Sequence, residues 1–301
     1  MHHDQLSITA AQVAALVADE LPELAAEPVE QLAAGGTVNA IFRVGTGVTA
    51  RFPLRPEDPD STRVRLEQEA VAAAELVGVS PFPVPRPVHV GGPGHGYPMP
   101  WSAQTWLDGH RATPTSCESS SAFARDLATL TQALRAADMR GRRFSGTNRG
   151  GVLGDHNRWV EECLRKSEGL VDTRAVGRLW SRFRELPRED PDVMSHTDLI
   201  PGNLLVEGDR LVGVLDSGDF QAADPALDLV SAWHLLGTGA RAVLRRELGC
   251  SDLQWERGKA WALEQAMGVV WYYVDTNPLA AEMGRTTLER LLADAGPSTP
   301  G

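Results

Sequence analysis

The feature that most constrains this chain is a short, polar-rich β-hairpin set inside a long helical region. The segment SHTDLIPGNLLVEGDRLVGVLDSGD (195–219) holds two apolar runs on either side of Glu207–Asp209. This pattern predicts a hairpin with a three-residue loop. In that arrangement Asn203 and Asp216 lie at the open end of the same ladder. The predicted hairpin is a β island inside a helical region and brings two polar side chains to one place.

The residue types around this hairpin suit a definite chemistry. An amide oxygen and a carboxylate at Asn203 and Asp216 are hard ligands of the kind that Mg²⁺ takes. Asp198 is then left to orient or deprotonate a hydroxyl. One base and two metal ligands are what phosphoryl transfer requires, because its catalysis is mostly positioning and charge neutralisation. Asp, Asn and Gly also populate turns for local reasons, but the four-residue pattern, which includes His196, is rare enough to favour function.

The rest of the chain predicts an α+β fold in two lobes. An N-terminal helix begins after Ser7 or Thr9, and two β-rich segments joined by Gly45–Gly47 follow it. An amphipathic helix comes next, with Val64, Val71, Ala74 and Leu76 at helical spacing. We place the small β-rich lobe at residues 1–106 and the larger, mainly helical lobe at 107–301.

Composition excludes several classes of partner. The 301 residues carry 29 basic and 40 acidic side chains, a net charge of −11, which disfavours nucleic acid. Three widely spaced cysteines suggest neither a disulfide framework nor a zinc site, as in a reducing cytoplasm. No basic, apolar leader and no run of 18 apolar residues is present, so we expect no signal peptide, no membrane segment and a cytoplasmic protein. The oligomeric state is left open.

Three motifs together resemble a known family. These are H-x-D-x-x-x-x-N from His196, the hairpin exit L-D-x-G-D around Asp216, and D-P-A-x-D-L from Asp224. They are similar to the aminoglycoside phosphotransferase family, relatives of the protein kinases that include macrolide, choline and homoserine kinases. The resemblance covers about residues 30–280. It implies a protein-kinase-like bilobal fold whose N-lobe binds ATP or GTP, with Mg²⁺ as cofactor.

The resemblance assigns roles within the helical lobe and the hairpin. Asp198 would be the catalytic base, with His196 supporting the catalytic loop, and Asn203 and Asp216 would hold Mg²⁺. Two further aspartates, Asp224 and Asp228, would support the loop, the later one by hydrogen bonds.

The nucleotide site is implied by position. Gly35, Gly36 and Asn39 would lie in the loop over the phosphates, although two adjacent glycines more often mark only a turn. The backbone around Gln104 and Trp106 would meet the adenine.

Two departures from the family pattern stand out. The strand that carries the phosphate-binding lysine reads VTARFP, and the only lysines of the chain, Lys166 and Lys259, lie in the helical lobe. Arg51 stands in the place of that lysine, and we expect it to pair with Glu69, as a forked donor also suited to phosphate. The second departure is Thr197, where the family most often has glycine.

The acceptor is less well defined. Asp219, Trp271, Tyr272 and Asp275 are candidates for its site, because aromatic faces beside carboxylates suit a polycationic sugar, although the aromatic residues could equally belong to the core. We expect a small-molecule acceptor with a hydroxyl group, and the resemblance implies an aminoglycoside-type antibiotic. A macrolide, a metabolite alcohol such as choline, homoserine or a sugar, and a catalytically impaired nucleotide-binding protein remain the alternatives.

Overall fold

A computed structural model of the chain describes residues 5–32, 38–146 and 148–295. These residues form two compact units. The first contains the described residues of Met1–Gly78, together with Pro83–Asp108 and Leu215–Asp219, and the second contains those of Val79–Phe82, Gly109–Val214 and Phe220–Gly301. Within the described ranges, no helix combines the length and apolar character needed to cross a membrane.

The first unit is built on a five-stranded antiparallel sheet in the order β1-β2-β3-β5-β4. Strand β2 alternates buried and half-buried residues along its length, the period of a strand with one face on a core. A three-residue turn joins β2 to β3, with Val44 paired to Val48 and Gly45 in the left-handed region at φ +57°. The strands are β1 (Val29–Gln31), β2 (Asn39–Val44), β3 (Val48–Pro53), β4 (Pro87–Gly91) and β5 (Trp101–Thr105).

Two helices belong largely to this unit, α1 (Ala10–Glu20) and α2 (Pro59–Val79). Thr9, not Ser7, begins α1: its hydroxyl accepts from the Gln12 backbone, and the Gln12 side chain accepts in return from the Thr9 backbone.

The predicted apolar face of α2 is wrong in part. Val64 and Val71 are 52% and 69% exposed, whereas Leu66, Ala73 and Leu76 are buried. The packed stripe therefore runs through Leu66 and Ala73 and shares only Leu76 with the predicted face.

The second unit is mainly helical and carries short strands that hold its loops. Its helices are α3 (Ser121–Arg135), α4 (Asn157–Lys166), α5 (Thr173–Phe183), α6 (Val230–Leu235), α7 (Thr238–Leu248), α8 (Asp252–Tyr272) and α9 (Pro278–Asp294). Its strands are β6 (His110–Arg111), β7 (Val193–Ser195), β8 (Leu204–Glu207), β9 (Arg210–Val214) and β10 (Gln221–Ala223). Strand β8 lies between β6 and β9, and β7 pairs with β10.

The hairpin β8–β9 differs from its predicted form in one respect. Glu207 pairs with Arg210, so the turn has two residues, Gly208 and Asp209, instead of three. Gly208 takes φ +60°, which glycine adopts at little cost. A shift in register between Leu205 and Val206 absorbs the difference, and the ladder opens at Leu204 paired with Val214.

Aromatic side chains form the centre of the first unit. The Phe52 ring stacks on Trp101 at 5.3 Å between centroids and meets Phe42 and Tyr97 edge to face. All four side chains are almost fully buried. This cluster joins β2, β3 and β5 to the segment before β5.

We expect Phe52→Ala to lower the free energy of unfolding by about 3–5 kcal/mol, because it removes a buried ring and leaves a cavity. Chemical denaturation followed by tryptophan fluorescence measures the change. Val71→Ala, at an exposed position, is the control and should change stability little; equal losses in the two variants would contradict this account of the core.

Candidate active site

The loop of residues 196–203, called here the catalytic loop, lies between β7 and β8 and is held from beneath by Asp228. The Asp228 carboxylate is 2% exposed. Its Oδ1 accepts from the Ser195 hydroxyl at 2.9 Å and the Thr197 backbone N–H at 3.2 Å, and its Oδ2 accepts from the His196 N–H at 3.4 Å. The loop therefore begins in one fixed backbone conformation.

Burial raises the pKa of Asp228, while His196, the Ser195 hydroxyl and Arg135 act in the opposite direction. Desolvation of a carboxylate is costly unless donors surround it. The convergence of three donors on Asp228 is what makes its burial tolerable.

Thr197 adopts a left-handed backbone conformation, at φ +70°. A β-branched residue is strained there, whereas glycine is not. This conformation gives a physical reason for the glycine expected at this position from the family pattern.

The Asp198 side chain is held by two amides and remains 28% exposed. Asn203 Nδ2 donates to Asp198 Oδ2 at 2.8 Å and to its backbone carbonyl at 3.0 Å. Gln265 Nε2 on α8 donates to Oδ1, and Arg149 Nη2 lies 3.5 Å from the same oxygen. A carboxylate with fixed orientation and partial exposure has the character of a general base.

Gln265 and Arg149 were not predicted from the sequence. Gln265 lies 67 residues after Asp198 in the middle of a helix, and Arg149 lies 49 residues before it in a loop. Neither belongs to a local motif, so spacing along the chain carries no signal for them.

Asp224 has a structural role. It is 1% exposed and forms a buried ion pair with Arg257, whose Nε lies 2.9 Å from Asp224 Oδ2. The Trp261 indole N–H donates to the same oxygen at 2.9 Å. Arg257 Nη1 also donates to the carbonyls of Leu186 and Pro187, so this pair ties α8 to two loops of the second unit.

The predicted pair between Arg51 and Glu69 is wrong. Arg51 Nη2 instead binds Asp216 Oδ1 at 3.0 Å, and Glu69 accepts from Arg65 at 2.7 Å. Arg65 lies one turn before Glu69 on α2, at the i,i+4 spacing that favours such pairs. Asp216 takes φ +56°, a conformation that Asp tolerates better than most residues.

Glu69 lies instead against the turn that follows Asp216. A Cβ on Gly218 would lie 3.0 Å from the Glu69 side chain, so glycine allows this close approach without displacing Glu69. The neighbouring Asp219, a predicted acceptor residue, is exposed.

Three predicted nucleotide-binding residues, Asn39, Gln104 and Trp106, lie in or directly after strands of the first unit. Asn39 begins β2 opposite Pro53, and Gln104 lies in β5 opposite Thr49. The Trp106 backbone N–H donates to the Gly47 carbonyl at 2.8 Å. The Arg43 guanidinium lies 4.4 Å from the centroid of the Trp106 ring. Gly35 and Gly36 lie outside the described residues.

The predicted acceptor residues of α8 present an aromatic surface. Lys166 Nζ lies 4.1 Å from the Trp271 ring centroid, and Tyr272 meets Trp271 edge to face. Tyr272 is 42% exposed, so it is not a core residue. Asp275, three residues later, is also exposed.

The donor chemistry suits Mg²⁺ better than a metal that needs many protein ligands. In the described part of the chain no three His, Cys, Asp or Glu side chains gather as a metal site. Asp216 is half-exposed and gives only Oδ1 to Arg51. The Asn203 amide nitrogen faces Asp198, and its oxygen is the amide atom of a type that a metal ion accepts. Taken separately, a half-exposed carboxylate and an amide oxygen are both kinds of ligand that Mg²⁺ takes in proteins.

Solved structures share this fold over nearly the whole chain. The GDP complex of wild-type aminoglycoside 2'-phosphotransferase-IIIa is similar with a TM-score of 0.70 and 17% identity, over 96% of this chain and 100% of that one. The apoenzyme of macrolide 2'-phosphotransferase MphH from Brachybacterium faecium is similar with a TM-score of 0.61 and 17% identity, over 97% and 99%. The predicted kinase-like α+β fold, with a small β-rich part followed by a larger helical part, is confirmed.

Sequence comparison gives the family. Residues 29–261 match the model of the phosphotransferase enzyme family, and the chain belongs to that family. The aminoglycoside 3'-phosphotransferase of Salmonella typhimurium is 29% identical over 99 residues, which are 30% of this chain. The match spans 36% of that relative's length.

We expect Thr197→Gly to raise the free energy of unfolding by about 0.5–1 kcal/mol, because glycine relieves the left-handed strain. Thermal denaturation measures the effect. Thr197→Ala is the matched control, since it keeps the Cβ and the strain; a gain of the same size in both variants would contradict the interpretation.

We expect Asp224→Ala to lower the free energy of unfolding by about 3–5 kcal/mol, because it leaves the buried Arg257 guanidinium without its carboxylate. Asp252→Ala removes the carboxylate of an ion pair with Arg245 whose Asp side chain is 97% exposed, and should have little effect. Urea denaturation of both variants tests the contrast, and similar midpoints would refute a structural role for Asp224.

Proposed function

We propose that this chain transfers the γ-phosphoryl group of ATP or GTP to a hydroxyl group of an aminoglycoside-type antibiotic. The observation that carries the proposal is the Asp198 carboxylate, fixed by Asn203 and Gln265 on a loop that Asp228 braces. Membership of the phosphotransferase enzyme family supports the reaction class.

In this reaction Asp198 accepts the proton of the acceptor hydroxyl as that oxygen bonds to the γ-phosphorus. The bond from that phosphorus to the oxygen bridging it to the β-phosphate breaks, and the nucleoside diphosphate leaves. Fixed orientation of the base is the chief contribution of the catalytic loop, because phosphoryl transfer depends on positioning.

Asn203 and Asp216 are proposed to hold Mg²⁺, which neutralises phosphate charge when it is bound. Arg51 is proposed to supply the positive charge that lysine gives in related kinases. A guanidinium carries a positive charge and can form forked bonds to phosphate. The nucleotide itself is supported by relatives solved with GDP and with ADP.

An aminoglycoside acceptor is supported by charge and by similarity. Such acceptors are polycationic, and the chain has a net charge of −11. The exposed Tyr272 and Asp275 offer an aromatic face and a carboxylate of the kind that bind ammonium groups. The similar structures include complexes named for kanamycin, gentamicin and streptomycin.

A macrolide is the second candidate acceptor. Val274 and Leu279, which follow Tyr272 in the chain, are 38% and 61% exposed. Exposed apolar residues in this segment suit a larger and less polar acceptor, and macrolide phosphotransferases are among the similar structures.

The test is nucleoside diphosphate release by the purified protein with Mg²⁺ and either ATP or GTP. The panel contains aminoglycosides, macrolides and the metabolite alcohols choline, homoserine and simple sugars. Release stimulated by an aminoglycoside supports the proposal. Stimulation only by a macrolide or a metabolite alcohol overturns the acceptor class, and nucleotide binding without stimulated release by any of them overturns the reaction in favour of a catalytically impaired binding protein.

We expect Asp198→Ala to lower kcat by about 10²–10⁴-fold, because it removes the positioned base. The same release assay measures the loss. Asp252→Asn, at an exposed carboxylate outside the site, is the control and should retain full activity. A rate for Asp198→Ala within a fewfold of wild type would reject Asp198 as the base.

A further inference from the structure

A chain of hydrogen bonds runs from the helical core of the second unit to Asp198. Thr287 Oγ1 on α9 lies 2.8 Å from His234 Nδ1, and His234 Nε2 lies 3.0 Å from Gln265 Oε1. Gln265 Nε2 reaches Asp198 Oδ1. Gln265 is 5% exposed and both His234 and Thr287 are fully buried, so water does not compete for these groups.

The chemistry of the groups fixes the direction of every bond in this chain. An ionised carboxylate only accepts, so Gln265 presents its NH₂ group to Asp198 and its carbonyl oxygen to His234. His234 then donates from Nε2, and its Nδ1 accepts from the Thr287 hydroxyl. A neutral imidazole has one donor and one acceptor, as this arrangement requires. Burial lowers the pKa of His234 to about 4, which keeps the ring neutral near pH 7.

We propose that Gln265 is a positioning residue for Asp198, with the orientation of its amide set by His234 and Thr287. This inference rests on the proposed role of Asp198 as the base. Asn203 also binds Asp198, but it belongs to the same loop and moves with it. Gln265 instead fixes the carboxylate to α8, one of the longest helices of the described chain.

Arg149 does not replace this contact. Its Nη2 lies 3.5 Å from Asp198 Oδ1, longer than the amide bonds. Its Nη1 is directed to Glu264, at 3.7 Å, and Glu264 also pairs with His156 at 2.9 Å. Arg149 is thus shared between two carboxylates, whereas the Gln265 amide is committed to Asp198.

The test begins with Gln265→Met, which keeps the length of the side chain and loses the donor. We expect kcat to fall roughly ten- to a hundredfold, because misplacing a catalytic group lowers the reaction rate by a factor of that order. KM for the nucleotide should stay within about twofold. Gln132→Met, at an exposed glutamine bonded to the Glu247 carbonyl, is the matched control.

A double-mutant cycle separates positioning from general stability. With Asp198→Ala as background, Gln265→Met should lower the residual rate no further, because its effect acts through Asp198. Thr287→Val should lower kcat severalfold, and Thr287→Ser, which keeps the hydroxyl, should restore it. A role in packing alone would give the same loss in both backgrounds and no rescue by serine.

Several outcomes would overturn the inference and leave the proposed function standing. One is a Gln265→Met enzyme with kcat within about twofold of wild type while Asp198→Ala is strongly slowed. Another is an additive loss in the double-mutant cycle. Failure of Asp198→Ala to slow the reaction would instead reject Asp198 as the base, and absence of stimulated release by the wild-type protein would reject the proposed function. A crystal structure of Gln265→Met decides the positioning role without turnover: a displaced Asp198 carboxylate supports it, and an unmoved carboxylate refutes it.

Discussion

The buried carboxylate of Asp228 is the contact on which the catalytic loop depends. Three consecutive residues, from Ser195 to Thr197, direct a hydroxyl or an N–H group to it. An unpaired carboxylate at this depth would be prohibitively costly, so the loop and Asp228 stabilise each other. Strand β7 ends at Ser195 and pairs with β10. The same contact therefore fixes the start of the loop that carries Asp198.

Near that fixed loop, the second unit surrounds the buried Asp224 and the partly exposed Asp198 with different partners. Asp224 is neutralised by the guanidinium of Arg257, which makes it a structural ion pair. Asp198 receives mostly neutral amide donors and keeps contact with solvent. A buried arginine contact ties a carboxylate to the core, whereas amide donors orient a carboxylate and leave it in contact with solvent. This chain therefore holds aspartates with different surroundings within one short stretch of sequence.

Much of the fold and the centre of the site could be predicted from the sequence, because those features are local. The hairpin, the sheet strands and the spacing of Asp198 and Asn203 are all contained in short segments with strong patterns. The errors have two causes, one in tertiary packing and one in a local ion pair. The face of α2 was misjudged because packing buries Leu66 and leaves Val64 exposed. The partner of Glu69 was misjudged because Arg65, one turn away on the same helix, pairs with it. Gln265 and Arg149 reach Asp198 only through the folding of distant segments, which one sequence does not encode as a motif.

The use of arginine at position 51 has a consequence for detecting this protein. A reactive nucleotide analogue that acylates amines labels a protein only where a lysine lies beside the bound phosphates. A guanidinium is a poor nucleophile compared with a lysine amine. The two lysines of the chain lie in α4 and α8, where one contacts Glu162 and the other Glu256. With the phosphates beside Arg51, as proposed, a lysine-labelling probe would find no lysine in the first unit to acylate.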